Sequence, residues 1–416
     1  MHEVTNSGPM PLAVHRQLYA LPRSRERGHG AAIIQAIEAS GLRGRGGAAF
    51  PTGTKLRTVS RGGRSPVVVV NGSEGEPASG KDKLLLTRVP HLVIDGALQA
   101  AAAVGADEVI VGIDVHATKA LDAMHAALVE RSRVEPMLPV RIVPVPPRYV
   151  AGEESALVHL VNGGDAKPTA TPPRVFEKGV AGRPTLVDNV ETLAHLAQIV
   201  QWGPQWFRSS GTADEPGTML LTVTGDVVRP GVFEVSIGTP FANVLGSLGG
   251  TRHEVSAALF GGYYGTWLST DDARSAVLTN AHLRSKGASL GCGAIVMLPE
   301  SSCGVRETAR LLRWYASETA GQCGPCVHGL PALAGTFESV ADGRARPDAL
   351  AMLHRWAGQI EGRGGCRFPD GAVRLMRSAL TVFADDITRH VQGRPCIHAR
   401  SSRVLRVPDT EGLPWR

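Results

Sequence analysis

The stretch SPVVVVNGSEGEPASGKDK, residues 65–83, decides the fold. Its four consecutive valines, bounded by Pro66 and Gly72, read as a β-strand, and a loop bearing Glu74 and Glu76 follows at once. Upstream, GAAIIQAIEASGLRG (residues 30–44) has the apolar spacing of a short amphipathic helix closed by glycine, and it runs into the glycine-rich GRGGAAFPTGTKL (44–56). Downstream come a helix at about 91–104, the strand EVIVGI, a helix at about 117–132 and the strand VRIVPVP, which leads into RYVAGEESALVHLVNG (148–163). Strands alternating with helices of this length predict an α/β sandwich around a mainly parallel sheet. The segment 160–187, rich in Pro and Gly, reads as one long loop, and loops of that length usually carry function or are disordered.

The texture changes near residue 216. TMLLTVTGDVVRPGVFEVSIGTPFANVLGSLGG (218–250) has short β-rich runs around a Pro-Gly turn and predicts a small β-grasp-like module, whereas the pattern beyond residue 300 is almost wholly helical. A chain of 416 residues has room for two to four domains. The net charge of +6 is thinly spread, with Lys supplying 7 of the 44 basic residues and no dense basic run, so nucleic acid is excluded as a partner. The most apolar region, HLVIDGALQAAAAVGADEVIVGI, is interrupted by Asp95, Asp107 and Glu108 and does not read as a membrane span. The first 28 residues lack the apolar core of a signal peptide, which predicts a cytoplasmic protein. Six cysteines in such a chain point to metal or catalysis before structural disulfides.

The loop Gly44-Arg45-Gly46-Gly47-Ala48-Ala49 fits G-x-G-x-x-A, but the dinucleotide fingerprint needs a strand before it and a helix after it. Here the order is helix, loop, then Pro51, so the ordinary Rossmann reading fails. The use of the glycines stands: without Cβ atoms, backbone N–H groups approach a phosphate or a flat ring closely, and Arg45 and Lys55 flank them with positive charge. A tight surface turn is the plain alternative. Two acidic pairs, Glu74 with Glu76 and Glu153 with Glu154, sit where strands end, the usual ligand crevice of an open α/β sheet. Carboxylates repel phosphate but accept hydrogen bonds from ribityl or ribose hydroxyls, and crowding raises their pKa. Loop and carboxylates together favour a polyol-phosphate cofactor, a flavin mononucleotide or a nicotinamide dinucleotide.

A second chemistry lies in ASETAGQCGPCVHGLP (316–331), where Cys323 and Cys326 stand in C-G-P-C. A thioredoxin-type dithiol needs a strand ahead of it and a compact βαβ domain around it, but RETARLLRWYASETAG (306–321) is helical in period. Half of a zinc site and part of an iron–sulfur cluster both stay open. Cys292, Cys303 and Cys396 read as small packed residues or a surface thiol.

Taken together, GLRGRGGAAFPTGTK, NGSEGEPASGKD, YVAGEESAL, GRPTLVDNVETL and the cysteine block resemble the flavin- and NADH-binding subunit of respiratory complex I, and the equivalent subunits of NAD-reducing hydrogenases and NAD-dependent formate dehydrogenases. The resemblance runs in order from about residue 30 to about residue 395. It implies a Rossmann-like FMN-binding α/β sandwich over residues 1–212, a β-grasp soluble-ligand-binding (SLBB) module over 213–285 and a helical iron–sulfur domain over 286–416. Carried over by position, Gly44, Arg45, Gly46, Gly47 and Lys55 would cradle FMN, with Asn71, Glu74, Gly152, Glu153, Asp188 and Asn189 completing its site. Phe50 would stack on the adenine of NADH, while Glu76, Tyr149 and Glu154 would line the nicotinamide pocket. The implied activity is an NAD(P)H-dependent oxidoreductase: hydride to FMN, then single electrons through an iron–sulfur cluster to a ferredoxin, a quinone-linked enzyme or a membrane reductase. The protein would be one member of a hetero-oligomer, cytoplasmic and brought to the inner face of the membrane by its partners.

Departures from the family pattern matter as much. Asn71-Gly72-Ser73-Glu74 stands where the family usually has N-A-D-E, Leu56 where a Trp is expected, and Thr58 and Arg174 where aromatics help to sandwich the adenine. In the cysteine block the resemblance aligns Cys323, Cys326 and the distal Cys366 with cluster ligands, but Ala320 stands where the fourth thiolate belongs. Three thiolates can hold a 3Fe–4S cluster, or a 4Fe–4S cluster whose last iron takes water or a side chain such as His328. A scaffold protein that keeps the fold, with zinc or no metal at the cysteines, is the alternative reading.

Overall fold

A computed structural model describes residues 8–19, 29–134, 136–400, 403–410 and 412–416, so most of the irregular N-terminal stretch lies outside the described residues. The first sheet is parallel throughout, with strand order β3-β2-β1-β4, where β1 is Val67–Gly72, β2 Val109–Asp114, β3 Val140–Val145 and β4 Thr185–Asn189. The run of valines has its explanation in this order. As the second strand from the edge, β1 is covered on both faces, and alternate side chains enter different cores. Val68 and Val70 pack with Ile33 and Ile37 of helix His29–Ser40, Val93 of helix Pro90–Val104 and Leu193 of helix Val190–Trp202. Val67 and Val69 pack on the opposite side with Leu157 of helix Glu154–Val161.

Segment 160–187, expected as one loop, ends sooner because β4 begins at Thr185 and pairs with β1, Val67 opposite Thr185. The short run TLVDN was hidden by the Pro and Gly residues before it. From β1 the chain crosses to β2 on one side and later returns to β4 on the other. This switch of direction opens a crevice beyond the carboxyl ends of β1 and β4.

The second sheet has five strands in the order β6-β5-β9-β7-β8: β5 Thr218–Gly225, β6 Gly231–Ser236, β7 Val255–Phe260, β8 Thr266–Ser269 and β9 Ala294–Pro299. Its central strand, β9, comes from beyond the boundary expected at 285/286, so the sheet reaches into the segment assigned to the helical unit. A loop punctuated by Gly287, Gly291 and Gly293 separates β9 from the other strands in sequence and masked the connection. Helices Gly304–Ser317, Leu330–Ala341, Ala349–Ile360, Phe368–Val382 and Ala384–Val391 form the last unit. Leu311, Leu312, Trp314 and Tyr315, the residues that set the helical period, share a core with Ala257, Leu259 and Trp267 of the second sheet.

Helices Pro90–Val104 and Val190–Trp202 cross where Gly96 lets the backbones touch: a Cβ at Gly96 would lie 2.0 Å from Leu193 O. Alanine in a helix interior usually gains up to about 1 kcal/mol over glycine, but overpacking costs about 1–3 kcal/mol and the obstacle here is backbone. Gly96→Ala should therefore lower the urea midpoint of unfolding. An unchanged or raised midpoint would show that the helices separate freely.

Candidate functional site

The crevice beyond β1 and β4 is a cavity of about 550 Å3. All fifteen flavin- and nicotinamide-site residues expected from the sequence border it, from the loop at Gly44–Gly47 through Glu74, Glu76, Glu153 and Glu154 to Asp188 and Asn189. So do Gly261, Tyr264 and Cys292 near the second sheet, and Cys366, Arg367, Phe368 and Arg374 of the helical unit. The site therefore lies where three units meet.

The glycine loop is a closed turn. Gly44 N–H donates to Phe50 O at 2.8 Å, the Arg43 guanidinium to Ala49 O at 3.2 Å, and Gly47 takes φ +109°, which side chains rarely adopt. Arg45 is not the loose cation its position suggested. Its guanidinium donates to Thr218 O at 2.8 Å and lies 4.0 Å from Glu191, while burial lowers its pKa. Arg45 thus ties the loop to β5. Lys55 keeps the cationic role: its ammonium donates to Val187 O and stands 3.9 Å from Glu154.

Beneath the loop lies a buried charge cluster. Lys81, 1% exposed, places Nζ 2.7 Å from Asp82, 3.0 Å from Asn189 Oδ1 and 3.0 Å from Glu191. Burial alone would lower the Lys81 pKa, but Asp82 and Glu191 hold it above its usual value. Glu191 is held down to about 2: burial pushes it up, and Lys81, His195 and Arg45 overcome that push. Its other oxygen accepts Leu220 N–H at 2.7 Å, which joins the first sheet's helix to β5.

The four loop carboxylates have different tasks. Glu74, at a strained φ of +39°, accepts Ser79 Oγ at 2.7 Å and the N–H groups of Asp82 at 3.0 Å and Lys83 at 2.9 Å, so it caps helix Lys81–Arg88. Glu153 likewise caps helix Glu154–Val161 through Ser155 N at 2.9 Å and Ala156 N at 3.1 Å. Glu154 is left to face Lys55. Glu76 is fixed by the N–H groups of Tyr263 at 2.9 Å, Ala78 at 3.1 Å and Tyr264 at 3.3 Å, yet burial outweighs these bonds and raises its pKa to about 7. Asn71 spans to Gly152 O at 2.7 Å. Asp188 has a buried Oδ2 with no partner. An unpartnered acceptor, a glycine turn and a lysine suit the ribityl hydroxyls and phosphate of FMN.

Tyr149, Tyr264 and Phe368 form an aromatic wall, with ring centroids 6.0 Å apart for Tyr149 and Tyr264 and 5.4 Å for Tyr149 and Phe368. Phe50 borders the cavity and stays 53% exposed, free to stack on a planar group. Thr58 and Arg174 do not border it; their expected places in an adenine clamp are not brought to the cavity wall. Lys81, Asp82 and the GGYYG turn at 261–265 were missed. The adjacent K-D of KDK and the paired tyrosines between glycines were the available signals.

Cys323 and Cys366 both act on the buried thiol of Cys326, whose pKa rises through burial first and these neighbours second. Among the described residues, a single group brings three metal-ligating atoms all within 4.8 Å of one another, and it is not this one. Cys323, Cys326 and Cys366 do not all lie within 4.8 Å of one another, so they are not gathered as closely as the ligands of one zinc ion, held at about 2.3 Å each. Ala320, 8% exposed and packed in the core, supplies no fourth ligand, and His328 lies exposed.

Comparison with known proteins agrees with this geometry. Residues 37–198 match the Nuo51 FMN-binding domain, 220–259 the SLBB domain and 306–390 the NADH-ubiquinone oxidoreductase-F iron-sulfur binding region. The F-type subunit of NADH-quinone oxidoreductase from Mycobacterium tuberculosis is 32% identical over 381 residues, covering 88% of this chain and 85% of that one. Its counterpart in Streptomyces coelicolor is 31% identical over 377 residues, covering 88% and 84%. A chain of an NAD+-reducing NiFe-hydrogenase in the air-oxidized state superposes with a TM-score of 0.82 at 30% identity; the match covers 91% of this chain but 65% of that longer one.

The raised pKa of Glu76 gives a pH prediction. Unfolded, the group ionises near 4.5, and folded near about 7. Its contribution to stability is thus complete below about pH 4.5 and lost as the pH rises to about 7. In cofactor-free protein, the stability of the native chain relative to Glu76→Gln should fall across that window and level off above it, as read from urea midpoints. A flat difference would place the Glu76 carboxyl in contact with water.

Proposed function

The chain belongs to the family of F-type subunits of NADH-quinone oxidoreductase, and we propose that its crevice receives FMN and NADH while Cys323, Cys326 and Cys366 hold an iron–sulfur cluster. Bound there, FMN would supply a two-electron hydride acceptor that releases electrons singly, and the cluster a one-electron carrier. The observation that supports this reading is the single cavity bordered by the glycine loop, the strand-end carboxylates and Cys366.

The chain's own residues position and enclose. Backbone N–H groups of Gly46 and Gly47, with Lys55, would bind the phosphate; Asp188 Oδ2 would accept a ribityl hydroxyl. Asn71 and Gly152, hydrogen-bonded to each other, and Asn189, held by Asp82 and Lys81, would fix the walls around it. Phe50 would stack on the adenine. Tyr149, Glu76 and Glu154 would line the nicotinamide side, with the aromatic wall excluding water. Glu74 and Glu153 would act at one remove, by holding the helix starts that shape the pocket. No side chain need attack the substrate; hydride transfer asks for two stacked rings and a fixed distance between them.

As a member of this family the protein works within a hetero-oligomer. No helix among the described residues is long and apolar enough to cross a membrane. We place it in the cytoplasm, passing electrons to a ferredoxin or a membrane reductase.

Anaerobic NADH titration should bleach the flavin absorption of the purified protein; an unchanged spectrum would remove the nicotinamide reading. In Gly46→Val the new Cβ would meet Asn189 Cβ at 3.3 Å, with further bulk beyond it. FMN retention should drop by about tenfold or more, a loss of about 1.4 kcal/mol or greater. Full retention would move the cradle elsewhere.

The missing thiolate generates a separate expectation. Isolated anaerobically and then oxidised, the native protein should lose an iron readily and show the paramagnetic signal of an oxidised 3Fe–4S centre. Ala320→Cys should retain a 4Fe–4S cluster with a changed potential, because ligand identity and charge set cluster potentials. Equal resistance to oxidation in both proteins would mean that another group already completes the site.

A further inference from the structure

Cys303 and Cys396 lie outside the flavin and iron–sulfur sites, and nothing in their sequence spacing pairs them. In the fold they converge on one buried imidazole. Cys303 starts helix Gly304–Ser317, His390 lies in the last turn of helix Ala384–Val391, and Cys396 follows in the C-terminal tail. Their ligand atoms all lie within 4.8 Å of one another, and Cys303 Sγ is 3.6 Å from His390 Nε2. We infer that Cys303, His390 and Cys396 form a zinc site that fastens the C-terminal tail to the helical bundle.

Three features support zinc. Tetrahedral zinc with Zn–S of about 2.3 Å and Zn–N of about 2.0 Å separates its sulfur and nitrogen ligands by roughly 3.6 Å, the spacing found here. The histidine already holds the tautomer zinc needs: Nδ1 lies 2.8 Å from Ala341 O, so the ring donates its proton there and leaves Nε2 as the acceptor, on the side where Cys303 Sγ lies. The charges balance as well. Two thiols release two protons on binding, and two thiolates with a neutral imidazole cancel the charge of Zn2+ in a site where His390 is 0% and Cys303 4% exposed. Two thiolates and an imidazole are a donor set that suits zinc, and a fourth position is left for water.

The plain alternative is an interior histidine satisfied by hydrogen bonds, since Cys396 N–H also points at Nε2 from 3.1 Å. Zinc would displace that bond and take the Nε2 lone pair, and the bond by itself does not require two sulfurs beside the ring. The tail has a reason to be fastened. It brings Thr410 to Glu318 and Leu413 O to Arg148, and Glu318 accepts Tyr149 N–H at 2.7 Å under the aromatic wall.

Metal analysis of the full-length protein, purified anaerobically with zinc present, should find one zinc per chain. Cys323→Ser should keep that zinc, whereas Cys303→Ser and Cys396→Ser should each lose most of it. Cobalt supplied in place of zinc should give Cys323→Ser the ligand-field and thiolate charge-transfer absorption of a tetrahedral site. Limited proteolysis should cleave the tail faster after chelation. No zinc in the native protein, zinc that follows Cys323 instead of Cys396, or a Cys303–Cys396 disulfide in the anaerobic protein would each overturn the site; the zinc content of native protein decides the matter even if a serine variant fails to fold.

Discussion

The ammonium of Lys81 is the constraint on which the rest of the architecture depends. A buried cation must be matched by charges and hydrogen bonds fixed in place, since removing one partner of such a set costs about 3–5 kcal/mol. Asp82, Asn189 and Glu191 meet that demand from two separate parts of the chain. Asn189 ends β4 and caps the next helix, and Glu191 reaches on to Leu220 in β5. Satisfying one lysine thereby locks the loop after β1 against β4 and seats the second sheet on the first unit. The crevice is the space left above this locked floor.

Much of this was legible in the sequence, for physical reasons that differ from place to place. The valines of β1 announced a strand because both of its faces are covered. Gly44–Gly47 and the strand-end acids were found because loops at such ends are where ligands bind, and the structure gathers all of them at one cavity. Residue type did not disclose what each side chain touches. Arg45 and Glu74 border the crevice, yet one faces β5 and the other caps a helix; those partners lie far along the chain or depend on a turn invisible in composition. Strand β9 escaped notice because its pairing with β5 and β7 is entirely non-local. Cys303 and Cys396 were read as packing residues since the 92 positions between them conceal a contact made only by the folded bundle.

Chemically different demands are met by one device, the backbone N–H groups at a helix start or turn. Glu74, Glu153 and Asn189 all cap helices at the crevice rim. Glu76 takes three N–H groups from loops of two units and still keeps a raised pKa, because each of them offsets only part of the desolvation. The pocket is thus rigid through its polar groups, while the tyrosines and Phe368 supply the apolar wall.

Cys366 belongs to two neighbourhoods at once. It stands with Cys326 and Cys323, and it also forms part of the crevice wall. With both proposed cofactors in place, the flavin chamber and the cluster would share Cys366 on that side. Electrons would have a short way out, and dioxygen entering through the substrate's door would come up against Cys366, the residue proposed as a cluster ligand. Guarding the cluster from air would then be a matter of how tightly the nucleotide fills its pocket.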